Sequence, residues 1–354
     1  MPITIILTCA ASQVAPVISR SIKSYPGQPV RLIGVDIKPK EISVGASFCD
    51  DFYQVPFGAD SGYADAITNI VAKENVKIIF PGSDDEVLAL ARIKDQLLTK
   101  YGCRVVCSEY ETTKLASDKL SMLMHLKKSG VHTGQFSEVS SIKSILNFAD
   151  LVGYPQLPFI IKPKNGQGSK GFKLIKADIN EKASFFNSSN FEVSLSSIVS
   201  YFEKFPEEMA GFLMMEYLPG DKYSADILLR EGEVAHCIFR NSGIAPKTNP
   251  PTQMADIVFG SDLTEYAKQV TETSKFDYFL QLELGRDKEG KLAYIETNLR
   301  LDATLPITEG AGINFFHEMI SYSLTGQYLT TSSNQLSDNK VRFFRYWEHT
   351  FINV

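Results

Sequence analysis

The sequence predicts two architectures in one chain: an α/β region with a parallel sheet and flanking helices over residues 1–115, then an α+β region over 116–354. Three observations carry this. Apolar strand-like runs alternate with helical spacing up to "CRVVCS" (103–108), the pattern of a parallel sheet with helices on its faces. From about 158 the runs instead come in pairs joined by short turns, as antiparallel hairpins do. The 354 residues, 44% apolar and 22% charged, suffice for two or three domains with buried cores.

In order, "ITIILTCA" (3–10) is the first strand, "VAPVISRSIKSY" a helix, and "VRLIGVDIKP" a strand ending in Asp36. "YADAITNIVAKENV" is a helix, "KIIFPGSDDE" a strand and loop, and "EVLALARIKDQLLTKYG" a helix closed by Gly102. In "ASDKLSMLMHLKKSGV" Ser117 is the expected N-cap and Gly130 the expected C-cap. "FIIKPK" and "FKLIK" are strands joined by a loop, and a polar stretch fills 178–208. "GFLMMEYLPG" is a strand, "YSADILLREGEVAHCIFRN" a hairpin turning at Glu231–Gly232, and "YFLQLELGRDKEGKLAYIETNLR" a second hairpin. Helical sequence around 310–325, a surface loop "TTSSNQLSDN" (330–339) and a strand "VRFFRYWEHTFI" end the order.

The net charge of -5 argues against nucleic acid or an anionic membrane as the main partner. Five cysteines without a C-x-x-C pair read as buried free thiols in a reducing compartment. No apolar run approaches the ~18 residues of a membrane span. The start "MPITIILTCAASQ" lacks a basic n-region and reads as a strand, so a cytoplasmic location is expected.

"GQGSKG" matches G-x-G-x-x-G through Gly166, Gly168 and Gly171, with Lys162, Lys164 and Lys170 around it. A dinucleotide site needs a helix after the glycines. The following "FKLIK" alternates like a strand, so the match is a false positive. A glycine-rich loop between antiparallel strands can still cradle phosphates with its N–H groups; the bland alternative is a solvated hairpin. Walker, H-R-D and D-F-G motifs are absent.

"YIETN" puts Glu296 and Asn298 on one face of a strand, and "FLQLELG" alternates leucines with Gln281 and Glu283. An even-numbered loop would set Gln281 opposite Glu296 and Glu283 opposite Tyr294, with the leucines on the other face; a three-residue loop would break that separation. Carboxylate and amide oxygens on one face suit Mg²⁺ bound with nucleotide phosphates.

"SDKLSM", "FIIKPKNGQGSKGF", "MMEYLPGDKYSADIL" and "YIETNLRLDATLP", in that order, resemble the ATP-grasp superfamily, especially its carbamoyl-phosphate-synthase-like branch. "FPGSDDEVLALA" resembles that branch's pre-ATP-grasp domain, so 1–115 would be that domain and 116–354 the ATP-grasp domain, with a lid at about 120–215. The resemblance implies Lys119 and Lys162 at the α- and β-phosphates, and a closing loop with Gly166, Gln167, Gly168, Ser169 and Gly171. It implies Glu216, Tyr217 and Leu218 at the adenine. Gln281 (or Glu283), Glu296 and Asn298 would hold Mg²⁺, with Mn²⁺ as an alternative. Arg300 would steady the transferred phosphoryl group, and Arg240 would be a second anion-binding arginine. Lys222 stands where the family usually has a ribose-binding Glu, which leaves that role to Asp221 or alters nucleotide use.

The implied activity is a stand-alone carboxylate–amine ligase. It would form an amide or peptide bond through an acyl phosphate, releasing ADP and phosphate. Its partners would be a small carboxylate and an amine, without nucleic acid or membrane, in a monomer or a homodimer. Arg240 and "NSGIAPKTNPPTQM" (241–254) would border the substrate pocket. Two alternatives stand beside it: an ATP-grasp protein that binds nucleotide without catalysis, suggested by Lys222, and a Rossmann oxidoreductase, suggested by "ILTCAAS" and Asp36 despite a first loop without glycine.

Overall fold

The computed structural model describes residues 2–166, 170–179, 191–241, 254–330, 341–346 and 348–351. The chain divides into two compact units, one of Met1–Lys114, Lys222–Glu283 and Thr297–Val354, the other of Leu115–Asp221 and Leu284–Glu296.

The first unit begins with strands β1 (Ile3–Leu7), β2 (Val30–Asp36), β3 (Asp51–Gln54), β4 (Ile78–Phe80) and β5 (Arg104–Val105). They form an all-parallel sheet in the order β3-β2-β1-β4-β5. Helices α1 (Ala15–Lys23), α2 (Tyr63–Glu74), α3 (Asp84–Tyr101) and α4 (Tyr110–Ser117) connect or follow them. All five residues of β1 are buried, as expected of a strand covered on both faces. Ser83 caps α3 by accepting the Glu86 N–H, and Gly102 ends it at φ +63. The order reverses between β1 and β4, where ligands of open α/β sheets sit. There the buried Glu86 carboxylate accepts from the Thr8 hydroxyl (2.6 Å), the Cys9 thiol (3.0 Å) and the Ser83 hydroxyl (3.0 Å), tying both strand ends to α3.

The second unit contains α5 (Lys119–Lys128), β6 (Phe136–Glu138), α6 (Ile142–Val152), β7 (Phe159–Pro163), β8 (Lys173–Ile175), β9 (Glu192–Val193), α7 (Leu195–Lys204) and β10 (Phe212–Glu216). Its sheet runs β6-β10-β7-β8-β9, with β7 and β8 antiparallel as expected. Phe148, Phe159, Ile161 and Met214 lie in its core, each such side chain stabilising the fold by about 1.5–3 kcal/mol. Asp118, not Ser117, caps α5, accepting the Ser121 N–H at 2.6 Å, because a separate helix occupies 110–117. Ser129 is its C-cap, and Gly130 follows at φ +82. The expected polar stretch at 178–208 contains α7, which Ser194 caps.

The chain then supplies β11 (Lys222–Arg230), β12 (Glu233–Asn241), β13 (Met254–Val258), α8 (Ser261–Thr271), β14 (Tyr278–Arg286), β15 (Leu292–Asn298), α9 (Ile307–Gly310), α10 (Phe315–Thr325) and β16 (Arg342–Phe344). The sheet order is β15-β14-β11-β12-β13-β16. The β11–β12 hairpin turns at Glu231 (φ 53) and Gly232 (φ 92), the left-handed pair of a type I′ turn. The final strand is shorter than the sequence suggests: β16 pairs with β13 only at Met254–Asp256. Residues 331–340 and 242–253, within the expected surface loop and substrate-bordering stretch, lie outside the described residues.

A further expectation is overturned. The β14–β15 loop has three residues, 288–290: the Asp287 N–H donates to the Lys291 carbonyl (2.9 Å) and the Gly290 N–H to the Asp287 carbonyl (3.0 Å). The Asp287 carboxylate accepts the N–H groups of Glu289 and Lys291, and Gly290 sits at φ +80. These local bonds select the turn, which face-counting ignored. Leu280, Leu282 and Leu284 are nevertheless buried, and so is Gln281. The strand is covered on both sides, so the burial separation inferred from alternation is not realised.

Candidate active site

In the second unit, Lys162 projects from β7 and is 6% exposed. Its Nζ donates to the Ile295 carbonyl (3.1 Å) and lies 3.7 Å from the Glu296 carboxylate. Lys119, the first residue of α5, donates its backbone N–H to the Lys164 carbonyl (3.0 Å) and its Nζ to the Gly166 carbonyl (2.7 Å). Lysines from a strand and a helix thus flank the start of the glycine loop. Gly166 (φ +109) and Gly171 (φ +75) both adopt left-handed backbone. A Cβ on Gly171 would also fall 2.7 Å from Pro163, so this end of the loop requires glycine. Gln167, Gly168 and Ser169 lie outside the described residues. Lys164 pairs with Glu138, and Lys170 is exposed.

Glu216 ends β10 with its side chain committed: the carboxylate accepts the Gln135 N–H (3.0 Å), and its own N–H donates to the Gln135 carbonyl (2.8 Å). Tyr217 is half-buried and Leu218 buried. Asp221 is exposed, and its carbonyl accepts the Arg286 N–H (3.0 Å).

In the first unit, the Asn298 amide donates to Gln281 Oε1 at 3.0 Å, and both residues are buried. Gln281 therefore meets Asn298, where the sequence had set it against Glu296. Glu283 is half-buried beside them in sequence. Glu296 belongs to the other unit, two residues before Asn298 on the same strand.

"NLRLD" then alternates. Leu299 and Leu301 are buried, and the Leu301 N–H donates to the Pro81 carbonyl at 3.0 Å. That leaves Arg300 and Asp302 to a polar cluster. Arg300 lies 3.3 Å from Asp302, 3.4 Å from Asp84 and 3.4 Å from Asn298 Oδ1. Ser224 pairs with Arg240 across β11 and β12, which sets Asp226 on the same face. The Arg240 guanidinium forms an ion pair with Asp226 through Nη1 and faces Asp302 at 3.5 Å through Nη2. Arg240 is 2% exposed and Asp226 fully buried. Burial pushes the Asp226 carboxyl up to about 6, against the pull of Arg240. Asp302 is held well below the carboxylate range: burial raises it, but Arg300 and then Arg240 outweigh that. Arg345 donates to the Ala303 carbonyl at 2.8 Å, and burial lowers its pKa.

Sequence reasoning assigned no role to Asp84, Asp226, Asp302 or Arg345. A signal existed for Asp226: an acid within a continuous apolar strand, diagonal to an arginine once the hairpin turn is fixed. Asp36 and the cysteines have structural explanations. Asp36 accepts the N–H groups of Ala11 (2.8 Å) and Lys38 (2.9 Å), holding the loop after β1 to the end of β2. All five cysteines are free, Cys103 and Cys107 fully buried.

A parallel α/β sheet, a glycine loop in a lysine-bearing antiparallel hairpin, and an acid–amide strand leading into N-x-R define the ATP-grasp class. The chain is similar to ATP-grasp ligases, in particular those of the carbamoyl-phosphate-synthase-like branch. A family profile described as the PylC-like N-terminal domain matches residues 5–106, and one described as ATP-grasp in the biosynthetic pathway with Ter operon matches 208–343. A carbamoyl-phosphate synthase of Methanobrevibacter smithii is 23% identical over 296 residues, 79% of this chain and 71% of that protein. The biotin carboxylase domain of Hydrogenobacter thermophilus 2-oxoglutarate carboxylase, solved with MgADP, ADP and bicarbonate, matches with TM-score 0.70 at 17% identity, covering 95% of this chain and 72% of that one. N5-carboxyaminoimidazole synthetase of Staphylococcus aureus, solved with ADP, matches at 0.68 and 17% identity, covering 94% and 80%. The structural likenesses show a shared fold. Among the described residues no helix is long and apolar enough to cross a membrane.

Proposed function

We propose that this protein is an ATP- and Mg²⁺-dependent carboxylate–amine ligase that forms an amide bond through an acyl phosphate. The observation that carries the proposal is the buried Lys162, whose ammonium sits at the Ile295 carbonyl and 3.7 Å from Glu296. A phosphate-binding cation and a metal-binding carboxylate meet there in one contact. The relationship to a carbamoyl-phosphate synthase and the fold shared with an ADP-bound synthetase support it.

Lys119 and Lys162 bind the α- and β-phosphates, and the loop 165–171 closes over the β- and γ-phosphates. Glu216, Tyr217 and Leu218 border the adenine, and Asp221 takes a ribose hydroxyl. The donor types suit Mg²⁺: the Glu296 carboxylate in one unit, and in the other the Gln281 and Asn298 amide oxygens with Glu283 nearby in sequence, are each the hard oxygen that this ion takes alongside nucleotide phosphates. Bound there, Mg²⁺ supplies charge neutralisation on the transferring phosphoryl group.

A substrate carboxylate oxygen attacks the γ-phosphorus, the bond to the β-phosphate oxygen breaks, and ADP leaves. Arg300 holds the equatorial oxygens, and the lysines hold the leaving diphosphate. The amine nitrogen then attacks the acyl carbon, phosphate departs with the bonding electrons, and the amine proton passes to solvent. The protein orients reactants and excludes water from the acyl phosphate.

The test is ADP release from Mg-ATP with and without pooled amino acids and small carboxylic acids. ADP that appears only with a pool, together with a new amide product, supports the ligase. Mg-ATP binding without ADP release from any pool would overturn it in favour of a non-catalytic nucleotide-binding protein.

A further inference from the structure

We infer that Arg240 is a positioning residue that does not touch the substrate: with Asp226 and Asp302 it forms a buried brace that fixes the guanidinium of Arg300. The inference rests on the ligase proposal and deepens it, separating two arginines that the sequence treats alike.

The geometry distinguishes them. Arg240 is 2% exposed, and both outer nitrogens of its fork already face carboxylates, Nη1 toward Asp226 and Nη2 toward Asp302. An arginine grips a carboxylate or phosphate bidentately with that fork. To do so here, Arg240 would have to leave Asp226, which is fully buried and would lose its counter-ion. Arg240 Nε is also buried and, among the described residues, has no hydrogen-bond partner. Arg300 differs. Its side chain is 13% exposed, and its contacts with Asp302, Asp84 and Asn298 span 3.3–3.4 Å, longer than the ~2.7–2.9 Å of a charge-assisted hydrogen bond. Such contacts can give way to a phosphoryl oxygen.

Asp302 links the two. Its Oδ1 faces Arg240 and accepts the Thr304 N–H at 2.8 Å, while Oδ2 faces Arg300 at 3.3 Å. Arg240 and Thr304 thereby decide which oxygen is presented to Arg300. The brace also reaches the amide of Gln281, which lies beside Asp226. Removing the Arg240 fork should therefore alter the step in which Arg300 acts and leave carboxylate binding unchanged.

The kinetic test uses the full chain and the carboxylate found in the pooled ADP assay, with Arg240→Lys, Arg300→Lys and the double variant. Arg240→Lys is expected to lower kcat at least about tenfold with KM for the carboxylate within about twofold. It should add less than about twofold in the Arg300→Lys background. A tenfold rise in KM with independent, multiplicative effects would overturn the brace. A second arm needs no turnover and stands if no substrate is found: the crystal structure of Asp226→Leu/Arg240→Met, which removes both charges together. Displacement of the Arg300 guanidinium from Asp302 by more than about 1 Å, enough to matter for catalysis, is the expected result; an unmoved Arg300 would overturn the proposal. Absence of ADP from the wild type with every pool would count against the ligase reading, whereas an unmoved Arg300 counts against the brace alone.

Discussion

The two units carry their cations differently. In the second unit Lys119 and Lys162 rest on backbone carbonyls, those of Gly166 and Ile295, with one carboxylate at 3.7 Å from Lys162. In the first unit Arg240 is paired with the fully buried Asp226 and faces Asp302 at 3.5 Å, and Arg300 lies among Asp302, Asp84 and Asn298. A carbonyl is a dipole that an arriving phosphate can outcompete, whereas a buried counter-ion cannot be surrendered without leaving a bare charge. Lysine is a compact charge on a flexible stem, and arginine a rigid fork. Under the proposed function, the second unit would catch nucleotide phosphates and the first would hold a pattern of charge.

That contrast can be broken by experiment. The largest effect is expected from Lys162→Ala, which should lower kcat/KM for ADP release at least about a hundredfold, or about 3 kcal/mol of transition-state stabilisation. Its circular dichroism should match that of the wild type, because the ammonium's contacts include a backbone carbonyl and a half-buried carboxylate at 3.7 Å, not a tight ion pair; retained turnover would remove Lys162 from the site.

Stability should show the opposite ranking. Asp226→Ala should cost about 3–5 kcal/mol in urea unfolding, because Arg240 is left buried without its partner. Asp226→Leu/Arg240→Met removes the pair together and should cost far less. Equal losses in both would mean that packing, and not charge, dominates there.

The smallest effect concerns an ion pair nearer solvent in the same unit. The Glu74 carboxylate accepts from the Tyr53 hydroxyl (2.5 Å) and from Arg31 (2.7 Å), which lower its pKa from 4.5 to about 2. A depressed carboxylate stabilises the folded state above the unfolded pKa, and this is lost as pH falls from about 4.5 toward about 2. Glu74→Gln should flatten the decline in Tm across that window by a few degrees; an unchanged slope would show that the contact contributes little.

The sequence by itself determined the parallel α/β region, the antiparallel glycine hairpin and the Glu231–Gly232 turn. Each is written in local periodicity and in residues that tolerate left-handed backbone. It also marked Lys162, Glu296, Asn298 and Arg300 as candidates, because their motifs are contiguous and follow one another in a recognisable order. Tertiary structure alone decided which groups meet. Lys162 reaches Ile295 and Glu296 across more than 130 residues, and Arg300 reaches Asp84 across more than 200. The β14–β15 loop fell between these cases: its alternation pointed to an even count, while Asp287 and Gly290 imposed three residues. Likewise "SADILL" and "CIFRN" look like ordinary core strands until their hairpin is folded. Only then do one acid and one arginine share a face without water, and the same low-dielectric burial that makes their separation costly makes the pair invisible to any count of local charge.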